Sequence, residues 1–201
     1  RNLARVSEYA REHDFRLRPH TKTHKIPALA RKQLNLGAVG LTVAKVGEAE
    51  VMLDAEPDDL LVAFPVIGDG KLHRLMNVAE HADVTVALDS KEAVEQLSRA
   101  AAQFGRTISV LAEMDVGLGR VGVQPGPALP FLGIAFYPGH IQKMDHEAHA
   151  ALHDVGEIVA GAVHLLESNG FEVDVVSGGS TPTLFHSHEV ERLNEIRPGT
   201  Y

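Results

Sequence analysis

Apolar residues recur at helical spacing at Leu3, Val6, Tyr9 and Ala10, which predicts an amphipathic helix over residues 2–13. A strand is expected over 15–22. Pro27 suits the first turn of a helix that Gly37 stops after Leu36. The apolar run 38–43 reads as a strand, and the helical pattern 46–54 is ended by Pro57. Strand 60–64, helix 71–81 and strand 84–88 follow. Ser90 is placed to cap the helix 91–104, with Glu92 and Glu95 in its first turns. Strands are expected at 107–113 and 132–137. Asp145 is placed to cap a long helix ending at Gly170, with the apolar stripe Ala148, Leu152, Val155, Val159, Ala162 and Leu166. A strand at 173–176, a short helix at 190–195 and a strand at 197–201 complete the series.

The pattern therefore holds eight strands, mostly short continuous apolar runs separated by helices. That alternation predicts a parallel sheet covered by helices, and eight units predict a (β/α)8 TIM-type barrel. An open doubly wound sheet is the structural alternative. One join does not fit. Only seven residues separate Val123 from Phe131, three of them prolines, whereas a parallel crossover takes roughly a dozen. The expectation is one barrel domain over 1–201, with residues missing near 124–131 and at both ends.

Composition narrows the function. The chain has 201 residues, of which 44% are hydrophobic and 23% charged, as expected of a globular protein. A net charge of −8 argues against a nucleic-acid or acidic-membrane surface. No apolar run approaches the about 18 residues of a membrane span. The amphipathic start is unlike a signal peptide. The absence of cysteine excludes disulfides, thiolate metal sites and a cysteine nucleophile, and fits a reducing compartment.

Four segments carry candidate chemistry. In Arg18–Lys25 (RPHTKTHK), strand parity puts Arg18, His20, Lys22 and His24 on one face. Lys22 is then expected to point into the barrel at the carboxyl end of its strand, where a desolvated amine loses its proton readily. A solvated basic strand end is the plainer alternative. After the seventh strand, Ser177-Gly178-Gly179-Ser180-Thr181 offers backbone N–H groups and hydroxyls as a phosphate nest, or is an ordinary turn. Arg197-Pro198-Gly199-Thr200-Tyr201 repeats that chemistry on the eighth strand, and barrels often hold phosphate after strands seven and eight. Glu113–Gly122 is glycine-rich and sets Arg120 over a ligand, while Tyr137-Pro138-Gly139-His140 brings an aromatic ring and an imidazole to the mouth. Of the histidines, His146, His149 and His153 flank the apolar stripe of their helix and read as a solvated face. His186 and His188 offer metal donors, although a structural or solvent role is favoured for them.

Taken in order, RPHTKTHK, MDVGLGRVGV (114–123), YPGHIQ (137–142), GGSTPT (178–183) and RPGTY (197–201) resemble the D-threonine aldolase and D-serine dehydratase group. That group belongs to the alanine racemase-like, fold-type III pyridoxal-phosphate enzymes. The resemblance implies that Lys22 forms the Schiff base with pyridoxal phosphate, with His20 beside it. It implies that Arg120 lies near the phenolic oxygen. Ser177, Gly178, Gly179, Ser180, Thr181, Gly199 and Thr200 would form the phosphate cradle. Tyr137 would contact the ring, His140 would lie on the substrate side, and Arg197 or Tyr201 would face the ring nitrogen.

The activity implied is a cytoplasmic, homodimeric lyase on small-molecule D-β-hydroxy amino acids, first of all retro-aldol cleavage to glycine and an aldehyde. A divalent Mn or Zn ion would be held by a C-terminal β-domain that lies outside this chain. The alternatives are a D-serine or D-3-hydroxyaspartate dehydratase and a non-catalytic pyridoxal-phosphate-binding barrel. A racemase, or a barrel for another phosphate, stands further off.

Overall fold

The structure is a computed structural model and describes residues 1–122 and 132–201. The expected short crossover at 124–131 therefore lies outside the described residues. Eight parallel strands form one sheet: β1 (Arg16–Leu17), β2 (Leu41–Val43), β3 (Asp59–Val62), β4 (Asp83–Leu88), β5 (Ser109–Met114), β6 (Gly133–Phe136), β7 (Val175–Gly178) and β8 (Glu195–Ile196). Their order is β1-β8-β7-β6-β5-β4-β3-β2. The two ends meet through a parallel bridge between His20 and Thr42, supported by Thr21 N–H donating to the Thr42 carbonyl at 2.8 Å. The expected eight-stranded α/β barrel is thus present, and the open sheet is set aside.

Six helices cover the strands among the described residues: α1 (Asn2–Glu12), α2 (Pro27–Asn35), α3 (Val46–Met52), α4 (Asp69–Val78), α5 (Lys91–Phe104) and α6 (His146–Ser168). Pro27 does occupy the first turn of α2. The Ser90 hydroxyl accepts from Ala93 N–H at 3.3 Å and Asp145 Oδ1 from Ala148 N–H at 3.1 Å, so both caps form as the sequence indicates. Gly105 ends α5 with φ +61°, a left-handed value that glycine adopts without strain. The stripe of α6 is buried against the sheet, and His146, His149 and His153 are exposed.

Two apolar clusters fill the space between sheet and helices. One joins α1 and α6 to β6 and β7, through residues such as Val6, Val159 and Phe136. The other joins α2–α5 to β2–β4, through residues such as Leu41, Met76 and Leu97. A small third cluster of Leu61, Ala87, Leu111, Ala135 and Val175 sits inside the barrel.

The ends of the chain pattern differ from expectation. Strand β1 has two residues rather than eight, because the chain turns after the His20 bridge. In place of a helix at 190–195 there is a 3-10 turn at Leu184–Glu189, and Arg192 adopts φ +69°, which breaks a right-handed helix. The last strand lies at 195–196, not 197–201. Asn194 clamps it two residues early: its side chain accepts from Val176 N–H at 2.9 Å and donates to the Asp174 carbonyl at 2.9 Å. Beyond it, Pro198 has no N–H for a ladder.

Candidate active site

The carboxyl ends of the strands surround a cavity that opens to solvent. Among the expected residues its lining brings together His20, Lys22, Arg120, Tyr137, Gly179, Ser180, Thr181, Arg197, Gly199 and Thr200. They come from the ends of β1, β5, β6, β7 and β8, distant in sequence and adjacent only because the sheet closes.

Lys22 lies in the turn after β1 rather than on an inward strand face, and its Nζ stands 5.2 Å from the centre of the Tyr137 ring. Arg120 approaches the same ring at 5.4 Å, so two basic side chains lie against one aromatic ring. Burial lowers the proton affinity of Lys22, and the nearby Arg120 and Arg197 lower it further against the pull of Glu48. His20 is pushed down to about 3 by burial and then by Lys22 and Arg197. It is therefore a neutral imidazole, and its Nδ1 accepts from Lys22 N–H at 3.4 Å.

Beside that turn, after β8, the backbone N–H groups of Gly199 and Thr200 converge on one oxygen, Thr181 Oγ1, at 3.1 and 2.9 Å. Two amides aimed at a single acceptor form an anion cradle. A Cβ at Gly199 would stand 3.0 Å from the His20 carbonyl and 3.2 Å from its Cβ, so any larger residue there would push the β1 turn by a few tenths of an ångström. Gly179, at φ +87°, turns the chain back toward Ser180, whose N–H donates to Thr183 Oγ1 at 3.1 Å.

Beneath the cavity runs a buried polar floor. Arg18 donates from Nε to Glu195 Oε2 at 2.9 Å and from its two terminal nitrogens to Asp59 at 2.5 and 3.0 Å. Ser177 Oγ donates to Glu195 Oε1 at 2.6 Å and accepts from Arg197 at 2.8 Å. Arg197 also donates to the carbonyls of Ser177 and Phe136 at 3.1 and 3.0 Å. Burial opposes the charge of Arg18, but Glu195 and Asp59 outweigh it and raise its proton affinity.

Four expected residues are not in the lining. Ser177 is fully buried in the floor. Gly178 lets the Phe136 ring approach to where its Cβ would be, with the nearest ring atom at 2.2 Å. Tyr201 accepts from Gln33 at 2.7 Å, and burial pushes its phenol up to about 12. His140 is exposed, with its ring 3.4 Å from the Cβ position of Gly117.

The cavity adds Ala44, Ala63 and Phe64, which lie outside the motifs, and Thr23 and Glu113, which lie within two of them but were given no role. Thr23 Oγ1 lies 3.1 Å from Thr200 Oγ1, linking the first turn to the cradle. Glu113 is buried and lifted by burial against Arg197 and Arg120, and its Oε2 has no hydrogen-bond partner among the described residues. Its inward direction was visible in the parity it shares with Leu111 on β5. Asp59 and Glu195 gave no sequence signal of their own.

The sequence model of the family described as alanine racemase, N-terminal domain, matches residues 1–201. Over 215 residues the chain is 33% identical to a D-threonine aldolase from an Arthrobacter species, covering all of this chain and 57% of that protein. The crystal structure of D-threonine aldolase from Filomicrobium marinum superposes with a TM-score of 0.93 at 35% identity, covering 98% of this chain and 58% of that one. D-threo-3-hydroxyaspartate dehydratase from Delftia sp. HT23 superposes with a TM-score of 0.84 at 27% identity, covering 98% and 56%. The chain thus spans a little over half the length of these relatives.

Proposed function

The chain belongs to the alanine racemase N-terminal domain family, and on that premise we propose that the protein is a pyridoxal-phosphate-dependent lyase acting on D-β-hydroxy amino acids. One observation carries the reading: an amine of depressed proton affinity, Lys22, shares a cavity with the paired N–H groups of Gly199 and Thr200.

The residues present fit the cofactor. Gly179, Ser180, Thr181, Gly199 and Thr200 would hold the phosphate, where a phosphate oxygen replaces Thr181 Oγ1 as the acceptor of the two amides. Gly178 and Ser177 support that cradle from below. Tyr137 and neutral His20 would bracket the ring, and Arg120 would face its phenolic oxygen. Arg197 lines the cavity and Tyr201 does not, which favours Arg197 as the neighbour of the ring nitrogen. Bound there, pyridoxal phosphate supplies an electron sink for charge developing at the substrate Cα.

Lys22 presents a neutral amine more readily than a solvated lysine, so it can both hold the cofactor aldehyde and take a proton from the substrate. Removal of the β-hydroxyl proton breaks Cα–Cβ and gives glycine and an aldehyde. Removal of the α proton with loss of hydroxide gives the dehydratase outcome, and the likeness to the hydroxyaspartate dehydratase favours keeping that second reading. His140 stands outside the lining, so a substrate-side role requires a substrate that reaches past Tyr137.

A divalent Mn or Zn ion assisting at the hydroxyl belongs to the proposal, and no residue of this chain is assigned to it. Association as a homodimer belongs to the proposal too, on the family resemblance. No helix among the described residues is long and apolar enough to cross a membrane; a cytoplasmic location is part of the same proposal.

The test is visible absorption with added pyridoxal phosphate, compared with Lys22→Ala and followed by borohydride trapping. The expected result is a band in the parent only, with the label on Lys22. D-threonine and D-serine, with and without Mn²⁺ or Zn²⁺, then separate aldolase from dehydratase by product. A label on Lys25, or no band, overturns the assignment.

A further inference from the structure

Outside the cavity, three donor side chains converge at the same end of the barrel. His149 lies in the first turns of α6, after β6, and His186 and Glu189 lie on the 3-10 turn that follows β7. Glu189 bridges both rings: Oε2 is 3.1 Å from His149 Nδ1, and Oε1 is 2.7 Å from His186 Nδ1. The two imidazoles meet edge-on with centres 4.8 Å apart.

We propose that His149, His186 and Glu189 form a binding site for a first-row divalent cation of the Zn²⁺, Co²⁺ or Ni²⁺ class, separate from the cofactor cavity. The proposal does not rest on the function proposed above.

Two imidazoles and a carboxylate are the donor set such cations prefer. Ligand bonds of about 2.0–2.1 Å in tetrahedral geometry place donor atoms roughly 3.3 Å apart. The 3.1 and 2.7 Å spans run to different oxygens of Glu189, and with one ligand atom taken from each residue all three donors lie within 4.8 Å of one another, so the set closes on an ion by a modest contraction. The remaining adjustment is small, because His149 and Glu189 are exposed and His186 is half-buried, so the side chains can turn without disturbing the core. Glu189 has no Lys or Arg ion-pair partner among the described residues, so its charge faces the two rings alone. On binding, each Nδ1 would exchange its hydrogen bond for the metal, its proton moving to Nε2 through water, and a fourth position would take water. The ion would tie the start of α6 to the turn immediately after the Gly179–Thr183 segment. That makes it a brace for the cradle rather than a participant in chemistry.

The protein with all its native residues, stripped of metal by chelation, is titrated with Co²⁺. Visible absorption and the metal count per chain are read together. His149→Ala and His186→Ala are each expected to bind one Co²⁺ fewer per chain than the parent. Glu189→Gln is expected to weaken that site at least about tenfold. His188→Ala is the control: on the same turn, its Nδ1 is engaged at 2.9 Å by Tyr9, and it should leave the count unchanged. If a variant loses its fold by circular dichroism, ring-nitrogen resonances of the unmodified protein are followed during Zn²⁺ addition. Those of His149 and His186 should then move together and before that of His188. Equal counts and affinities in parent and histidine variants, or no shift of these two rings, overturn the site and leave a hydrogen-bonded imidazole pair.

Discussion

Two sectors of the barrel interior solve the same filling problem differently. From β3 to β7 the interior is closed by Leu61, Ala87, Leu111, Ala135 and Val175, a compact apolar set. Across β8 and β1 the space is taken by Glu195 and Arg18, with Asp59 as the second charge partner of Arg18 and Arg197 donating to Ser177. Strands β3–β7 run four to six residues, whereas β1 and β8 have two each. Apolar filling tolerates small shifts and extends the ladder. Ion-pair filling fixes a few atoms in defined geometry and surrenders strand length to turns, which here carry Lys22 and the Gly199 and Thr200 amides. The site thus sits over the sector where burial is costly and directional.

The contrast is most easily broken at Arg18. Arg18→Met leaves buried Glu195 only the partly exposed Arg16 at 3.7 Å as counter-charge and leaves Asp59 with none of its guanidinium bonds, and unfolding in denaturant should show a loss of about 3 kcal/mol. A loss below about 1 kcal/mol would mean that the floor is far wetter than its burial indicates. In the apolar sector Leu111→Ala should cost about 3 kcal/mol through lost volume alone. Cofactor absorption should survive there, while Arg18→Met should also weaken it by loosening the Glu195–Ser177–Arg197 chain.

The smallest effect is a pH slope. His20 is held at about 3 in the fold against an ordinary 6.5, so below pH 6.5 the unfolded chain binds a proton that the folded protein refuses. Its contribution is therefore present above pH 6.5 and declines as pH falls toward 3, by at most roughly 1.4 kcal/mol per pH unit. Unfolding midpoints measured across that range should fall less steeply in His20→Asn. An unchanged slope would place His20 in water.

The same contrast explains what could be read from the chain. The α/β alternation, the caps Ser90 and Asp145, the stripe of α6 and the central strands follow from local periodicity and capping chemistry, which act over a few residues. The glycine-bearing motifs were visible too, because close packing leaves glycine where a Cβ would collide, as at Gly178 against the Phe136 ring. The extent of β1 and β8 was not, nor were the partners in the floor. Arg18 meets Asp59 and Glu195, 41 and 177 positions away, only because the sheet closes on itself.

The sequence by itself determined the order of elements, their amphipathic faces and the residue types offered at the strand ends. Tertiary structure alone decided that Lys22 leaves the strand for a turn and that Tyr201 and His140 stay outside the cavity lining. The same closure set His149 beside His186 and Glu189. The physical reason is range. Periodicity and caps are set by neighbours along the chain, whereas burial, paired charge and converging donors depend on segments that only the closed barrel brings within bonding distance.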